Sequence, residues 1–316
     1  MIQTRLFFAT DIHGSEDCFI KFLNAPRFYK ADVLILSGDL SGKMLVPIVA
    51  SRGGTFETDF LGVHRVLSEG KVEELEAQIR RTGSYPYRMD HETFKKLSVD
   101  RSKLEDLFSS LMNERISRWV ELAEQKLKGS GAEVYVSGGN DDQPSVDALL
   151  RRSTVFKNPE GEVVRIRGGY EMITCGWANP TPWQTPREAS EGELREKLEV
   201  LVSGVQSMAN CIFNIHVPPF DSGLDLCQKL DEELKPIFSG GQPVMFSSGS
   251  LTVRSFIERC QPLLGLHGHL HESRGAARIG RTLCLNPGSE YAQAILRGVI
   301  VDIENDRVKS HLFTSG

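Results

Sequence analysis

Carboxylate and imidazole side chains occur two residues apart at two places in the chain, each time just after a hydrophobic run. Asp11 and His13 follow residues 6–10, and His267 and His269 follow a second apolar run closer to the carboxyl end. In an extended segment, residues two apart point to the same side, so both side chains of a pair can reach one ion. This spacing indicates metal binding.

Three more polar residues follow hydrophobic runs and can join the same site. Asp39, Asn140 and His216 each come after an apolar segment, and a glycine precedes the first two. In α/β sheets, binding sites form beyond the carboxyl ends of the strands, so these side chains are expected to converge with the two pairs. The mixed oxygen and nitrogen ligands suit Mn²⁺, Fe, Zn²⁺, Co²⁺ or Ni²⁺ better than Ca²⁺ or Mg²⁺. Two clustered cations favour phosphate-ester chemistry.

Strands and helices alternate in the early part of the chain, which is typical of βαβ units. Strands are predicted at 5–10, 33–37, 133–137, 172–175, 211–215, 263–266, 282–285 and 296–303. From residue 280 to residue 313 the pattern predicts a meander of strands without helices. We therefore expect two mixed sheets face to face, with helices outside.

The interval between Asp39 and Asn140 is unusually long. We interpret residues 41–131 as a mostly helical insertion on a single domain that spans residues 1–316. Because the insertion leaves and rejoins the core beside two candidate ligands, it should overhang the site and influence substrate choice.

Local signals predict three elements inside the insertion and one beyond it. Gly53-Gly54 indicates a hairpin, residues 71–81 a short helix, and Ser102 with Glu105 a capping box that opens a long helix. A second capping box, at Ser190 and Glu193, opens a later helix.

Composition and charge restrict the partners. The chain has 316 residues and a net charge of −5, which argues mildly against a protein that attracts nucleic acid over its whole surface. Its six cysteines form no C-x-x-C pair and indicate reduced thiols of a cytoplasmic protein. No stretch is apolar enough to cross a membrane, and the chain enters a strand too early to leave room for a signal peptide. Nothing in the sequence indicates an oligomeric state.

The ordered motifs resemble the calcineurin-like metallophosphoesterase family, in particular its smaller prokaryotic members. That family carries D-x-H, G-D, G-N-H-D/E, H and G-H-x-H in this order. The corresponding segments here are Asp11-Ile-His13, Gly38-Asp39, Gly139-Asn140-Asp141-Asp142, His216 and His267-Gly-His269. The resemblance spans nearly the whole chain, and it extends to His216-Val-Pro-Pro219 and Asn286-Pro-Gly-Ser289.

The resemblance implies a four-layer α/β/β/α sandwich that holds two divalent transition-metal ions. It implies that a hydroxide between the ions attacks phosphorus, and that Asp39 bridges them. One ion would be held by Asp11, His13, Asp39 and His269, and the other by Asp39, Asn140, His216 and His267.

The chain departs from the family pattern at Asp141, which stands where the family has a histidine that contacts the phosphate. A carboxyl group can protonate a leaving oxygen only if its pKa is raised, and the neighbouring Asp142 would push the pKa in that direction. The alternative is that Asp141 only caps a turn. A diester with a good leaving group depends less on a general acid, so the departure favours a phosphodiesterase. The expected catalytic residues are Asp39, Asn140, Asp141 and His216.

The expected substrate is a small phosphate ester, with a nucleotide or cyclic nucleotide favoured. A nuclease acting on longer nucleic acid and a phosphomonoesterase remain as alternatives, and a scaffold without catalysis is the least favoured. Lys43, Arg88 and His271 are candidate substrate contacts. Lys43 can equally be a solvated loop residue. His271 can also support a metal ligand through a hydrogen bond or be a surface residue, and the supporting role is slightly favoured. The aromatic residues near Arg88 can stack a base or form the insertion's own small core.

Overall fold

The computed structural model describes residues 3–316, which contain seven α-helices and nineteen strands. The helices are α1 (Glu16–Tyr29), α2 (Glu69–Arg81), α3 (His91–Val99), α4 (Arg101–Leu127), α5 (Pro144–Leu150), α6 (Glu191–Ser203) and α7 (Leu251–Cys260). The strands are β1 (Gln3–Ala9), β2 (Val33–Ser37), β3 (Leu45–Ala50), β4 (Thr55–Phe60), β5 (Val63–Ser68), β6 (Tyr85–Met89), β7 (Glu133–Ser137), β8 (Val163–Arg165), β9 (Glu171–Cys175), β10 (Cys211–Ile215), β11 (Leu226–Gln228), β12 (Phe238–Ser239), β13 (Gln242–Pro243), β14 (Met245–Ser247), β15 (Leu264–Leu266), β16 (Gly275–Ile279), β17 (Thr282–Asn286), β18 (Arg297–Glu304) and β19 (Arg307–Ser315).

Two mixed sheets form the centre of the molecule. The first has the strand order β19-β18-β1-β2-β7, and the second has the order β16-β17-β15-β10-β9-β8. Strands β1, β2 and β7 run parallel to one another, as do β9, β10, β15 and β17. The carboxyl ends of parallel neighbours lie at one edge of a sheet, so the loops that follow these strands are brought together.

The two sheets pack face to face with helices outside. One buried cluster lies between the sheets and combines Leu6 and Val33 of the first sheet with Ile212 and Leu264 of the second. A second cluster joins the first sheet to α1, α4 and α5, and a third joins the second sheet to α6 and α7. The α/β fold class is confirmed, with both sheets buried on two faces.

The segment between residues 41 and 131 contains α2, α3 and α4 together with a four-stranded sheet of order β5-β4-β3-β6. Its helices include the longest in the described chain, and they contain more of its residues than the strands do, as expected for a mostly helical insertion. The four-stranded sheet as a whole was not predicted. Gly53 and Gly54 adopt positive φ in the turn between β3 and β4, as the hairpin required. Phe60 packs with Val72 and Ile79 in a small core of this segment.

Of the two predicted capping boxes, one is confirmed and one is wrong. The Ser190 side chain accepts from the Glu193 amide, and the Glu193 carboxylate accepts from the Ser190 amide. The long helix instead begins after Asp100, whose carboxylate accepts from Lys103 N. A carboxylate two residues before Ser102 serves as a strong cap, so the helix starts earlier.

The end of the chain crosses between the sheets. Strand β17 belongs to the second sheet and strands β18 and β19 to the first, so the predicted meander is not a single sheet. Among residues 3–316, no helix combines the length and the apolar character that crossing a bilayer requires.

Candidate metal centre

Five loops at the carboxyl ends of strands bring imidazole, carboxylate and amide groups together. Three groups have ligand atoms within 4.8 Å of one another: Asp11, His13 and His271; Asp39, His216 and His269; and His13, Asp39 and Asp141. The first two groups combine residues of both sheets. The site therefore lies where the edges of the two sheets meet.

Asn140 faces the second of these groups. Its Oδ1 lies 3.0 Å from His216 Nε2 and 2.8 Å from His269 Nδ1. Its Nδ2 donates to Thr185 Oγ1 at 3.0 Å, and the Thr185 hydroxyl donates to Glu188 at 2.8 Å. This directional chain fixes the amide so that its oxygen, the atom that can bind a cation, points into the site.

Asp11, His13 and His271 form the other side of the site. His13 Nε2 lies 2.9 Å from His271 Nε2, and His271 Nε2 lies 3.6 Å from Asp11 Oδ1. The Asp11 carboxylate accepts hydrogen bonds from Thr10 Oγ1 at 2.7 Å and from the His269 amide at 3.0 Å. Two imidazoles and one carboxylate facing one point are a donor set that suits a divalent transition metal.

Asp39 lies between the two sides. Its Oδ2 is 3.7 Å from His13 Nε2, and its Oδ1 is 3.5 Å from His216 Nε2. Asp39 Oδ1 also accepts a hydrogen bond from Asp141 N at 2.9 Å. One carboxylate oxygen thus faces each side, which is the arrangement that a bridging ligand needs.

His267 lies outside this constellation, which differs from the sequence prediction. Its Nδ1 is 2.8 Å from the carbonyl of Ile215, and its amide donates to Leu285, so it continues the hydrogen bonding of the sheet one residue beyond the end of β15. The chain turns only at His269, where φ is 67°. The pair that faces the site is therefore His269 and His271, and His271 takes the place that was predicted for His269.

The loops at the site adopt a backbone that costs energy. Asp11, His13, Asp39 and His269 all have positive φ. For residues other than glycine this conformation costs about 1–2 kcal/mol each, and it persists where surrounding structure enforces it, commonly at functional sites.

Glycines allow the strand-end loops to approach closely. A Cβ on Gly139 would lie 2.3 Å from Asp39 Oδ1, and one on Gly268 would lie 2.3 Å from Asp11 Oδ2. Any larger side chain at either position would displace a candidate ligand.

Burial and mutual attraction shift the titration of these groups. Burial is the largest single influence and by itself would raise the pKa values of Asp11 and Asp39. The combined attraction of nearby cationic groups outweighs it and lowers both pKa values, with His216 first for both, His271 next for Asp11 and His13 next for Asp39. Burial by itself would lower the pKa of His216, but the carboxylates of Asp39, Asp11 and Asp141 together outweigh it and raise the pKa to about 9. Burial lowers the pKa of His269 to about 4, so its ring is neutral and ready to bind a metal.

Metal affinity should weaken as the pH falls below about 9, because a cation must displace the proton that the raised pKa of His216 retains. With one proton displaced, the affinity should change roughly tenfold per pH unit. Titration calorimetry with Mn²⁺ between neutral pH and pH 9, in buffers of different ionisation enthalpy, measures the affinity and the released proton. His64→Gln is the matched control, because His64 is exposed and its ion pair is with Asp59, away from the site. Affinity that is independent of pH over this range would contradict the assignment.

Asp141 and Lys43 form an ion pair at the edge of the site, with Lys43 Nζ 2.7 Å from Asp141 Oδ2. Burial and then the Asp39 carboxylate raise the pKa of Asp141 to about 6, against the opposing effect of Lys43. The neighbouring Asp142 contributes less than the sequence suggested. Its own carboxylate is occupied by the amides of Leu40, Ser41 and Gly139.

A cleft of about 1300 Å³ opens over the site. Asp39, Asn140, Asp141, His269 and His271 line its floor, and Lys43 lies at its edge. Its walls include the exposed Trp183 together with Phe220 and Phe246.

Arg88 does not reach the cleft, contrary to the prediction that it contacts substrate. Its guanidinium is neutralised by Glu76 at 2.6 Å and Glu69 at 2.6 Å, within the 41–131 segment. Both glutamates belong to α2, which packs beside the strand β6 that carries Arg88. The arginine therefore has its ion-pair partners within the 41–131 segment.

Sequence reasoning missed two residues that hold candidate ligands in place. Thr185 orients Asn140, but it lies in a loop with no distinguishing pattern. Asn286 donates to the carbonyls of Gly268 and Leu270 and so supports the loop that carries His269. The motif Asn286-Pro-Gly-Ser289 is part of the family resemblance, but the resemblance gave Asn286 no role.

The comparisons with known proteins establish the fold alone. No family model matches the chain. An uncharacterized protein of Methanocaldococcus jannaschii is 29% identical over 155 residues, which are 48% of this chain and 62% of that protein. The chain therefore matches less than two thirds of that relative's length.

Among solved structures, TT1561 of Thermus thermophilus has a TM-score of 0.53 at 12% identity. The matched region covers 100% of this chain and 99% of TT1561. This likeness shows a shared fold. YfcE, a phosphoesterase from E. coli, has a TM-score of 0.32 at 12% identity over 98% of both chains, which is too low to support a conclusion.

Proposed function

We propose that the protein is a metal-dependent phosphoesterase that prefers phosphodiesters. The observation that carries this proposal is the position of Asp39, whose two carboxylate oxygens face His13 and His216 at 3.7 and 3.5 Å. Two divalent cations at such a site supply Lewis acidity toward phosphoryl oxygens and a water of lowered pKa.

The residues that would hold the two ions divide between the two sides of the site, with Asp39 shared. Asp11, His13 and His271 would hold one ion, and Asn140, His216 and His269 would hold the other. Thr10 and Thr185 orient Asp11 and Asn140 through hydrogen bonds of 2.7 and 3.0 Å. The ligands are thus fixed before a cation arrives, which lowers the cost of binding.

Asp141 supports the preference for diesters. Because its pKa is about 6, this carboxyl group is mainly ionised at neutral pH and is a weak proton donor there. A charged Asp141 also repels the dianion of a monoester more than the monoanion of a diester. Lys43, paired with Asp141, would then be the cation that meets the phosphate at the edge of the cleft.

Bis(p-nitrophenyl) phosphate should be hydrolysed at least about tenfold faster than p-nitrophenyl phosphate. The pKa of Asp141 lies about one unit below neutral pH, and a free-energy difference equivalent to one pKa unit changes a rate about tenfold. Asp141→His should raise the monoester rate, because imidazole can both contact the phosphate and donate a proton. Nitrophenolate release with Mn²⁺ present measures both substrates.

The matched control for that experiment is Glu272→His, which changes another acidic residue of the same cleft. An equal gain in both variants would mean that general charge removal is responsible. A strong preference of the wild-type protein for the monoester would contradict the proposed role of Asp141.

The natural substrate that we propose is a nucleotide-type phosphodiester. Trp183 is 62% exposed and lines the same cleft as the candidate metal ligands, so a base can stack on it. A substrate panel of cyclic nucleotides, dinucleotides, nucleic acids and phosphomonoesters, with Mn²⁺ added, tests this. The net charge of −5 favours the small diesters over long nucleic acid.

A further inference from the structure

A second cavity, of about 450 Å³, lies in the 41–131 segment. We call it the α3–α4 pocket, because it is lined by Phe94 and Leu97 of α3 and by Leu104 and Phe108 of α4, together with Met44. Lys43 and Glu105 are the charged residues of its lining. The pocket is therefore almost entirely apolar.

The lining of the α3–α4 pocket is uncovered. Met44, Phe94 and Leu104 are 56%, 41% and 38% exposed, respectively. Helix α3 has no buried residue at all, although Phe94 and Leu97 give it an apolar face. An apolar concave surface of this kind is left uncovered at a cost in free energy, so it indicates a binding site.

The α3–α4 pocket adjoins the metal cleft. Lys43 and Phe108 line both cavities, and the Lys43 ammonium lies 2.7 Å from Asp141. A ligand that places its phosphate at the candidate metal centre can therefore extend one substituent past Lys43 into the pocket. A phosphodiester has two substituents, and the two cavities offer one space for each.

We propose that the α3–α4 pocket binds an apolar alcohol group, an alkyl or aryl chain, of the phosphodiester substrate. This inference rests on the proposed function and specifies the nucleotide-type diester as an acyclic one, whose second substituent is apolar. The concave shape and the continuity with the cleft favour a substituent of the substrate over a second copy of the chain, because a stable interface between two chains buries about 800 Å² on each partner.

A series of p-nitrophenyl alkyl phosphate diesters, from methyl to octyl, tests the inference. In each case water adds its oxygen to phosphorus, the bond to nitrophenolate breaks, and the alkyl phosphate remains. For the wild-type protein, kcat/KM should rise roughly fourfold for each methylene group that becomes buried, until the pocket is full. Calorimetry with octylphosphonate and methylphosphonate gives a second readout, in which the octyl compound should bind at least about 100-fold more tightly.

Two variants change the pocket in opposite ways. Leu104→Glu introduces a charge, and Ser98→Phe fills the space, because Ser98 also lines the pocket. Both variants should flatten the chain-length series, so that they lower the rate for the octyl diester far more than the rate for the methyl diester. Val63→Glu is the control, because Val63 is 52% exposed on the same segment but lines neither cavity.

The outcomes separate the inference from the proposed function. A flat series in the wild-type protein, with the methyl diester hydrolysed, would overturn the inference alone. Absence of hydrolysis for every diester would overturn the proposed function. A change from dimer to monomer in Leu104→Glu, with the wild-type chain-length dependence retained, would show that a second copy occupies the pocket and would also overturn the inference.

Discussion

Asp39→Asn should lower kcat by at least about three orders of magnitude and reduce bound metal to one ion or less. The asparagine side chain has one amide oxygen and one amide NH₂ group, which is only a hydrogen-bond donor, so it can present a ligand to only one side of the site. Losing several kcal/mol of charge stabilisation in the transition state corresponds to a loss of this size. Turnover of bis(p-nitrophenyl) phosphate and elemental analysis of the purified protein measure the two effects.

The fold should survive this change, because the two side chains have nearly the same shape. Circular dichroism and thermal unfolding check this. Asp59→Asn is the matched control, since Asp59 is exposed and its ion pair is with His64, away from the site. Two ions per chain and full turnover in Asp39→Asn would contradict the proposed bridging role. Wild-type crystals soaked in Mn²⁺ should show anomalous peaks beside Asp39.

Asp142→Ala should destabilise the protein by about 4 kcal/mol. Asp142 is fully buried and accepts hydrogen bonds from the amides of Leu40, Ser41 and Gly139 at 2.8 Å each. Each buried amide that loses its partner costs about 1–3 kcal/mol. Denaturant unfolding should show a lower midpoint with an unchanged slope.

Asp106→Ala is the control for this prediction, because Asp106 is exposed on α4, and its effect should stay within about 0.5 kcal/mol. The amides that Asp142 holds follow Asp39 and precede Asn140, so metal affinity should fall together with stability. A loss below about 1 kcal/mol would show that water replaces the carboxylate.

The sheet framework could be predicted from the sequence because apolar runs bounded by glycine are strong strand signals. The convergence of Asp11, Asp39 and His216 followed from their places at strand ends. The sheet of the 41–131 segment was predicted only in part. Gly53-Gly54 indicated the β3–β4 hairpin, but β5 has no buried residue and no apolar run that would mark it as a strand.

The histidines near the carboxyl end show that alternation alone does not identify which residues face the site. Both His267-Gly-His269 and His269-Leu-His271 alternate, so alternation by itself does not indicate at which residue strand β15 gives way to the turn. The turn falls at His269, because His267 remains bonded to Ile215 and Leu285 in the neighbouring strands. Gly268-His269-Leu270-His271 is the better match to G-H-x-H, and this signal was present in the sequence.

Thr185 could not be predicted for a different reason. Its contact with Asn140 spans 45 residues of chain, and threonines are common in proline-containing loops without any such contact. The placement of Arg88 away from the cleft could not be predicted either, because two glutamates on α2 pair with it and their spacing from Arg88 gives no hint of the pairing.

The candidate ligands belong to two different sheets. Asp11, Asp39 and Asn140 follow strands of one, whereas His216, His269 and His271 follow strands of the other. Ions bound by these residues would cross-link the two sheets at the edge where the strand-end loops meet. The supply of transition metals in a cell would then govern how long newly made molecules resist proteolysis, independently of any need for their activity.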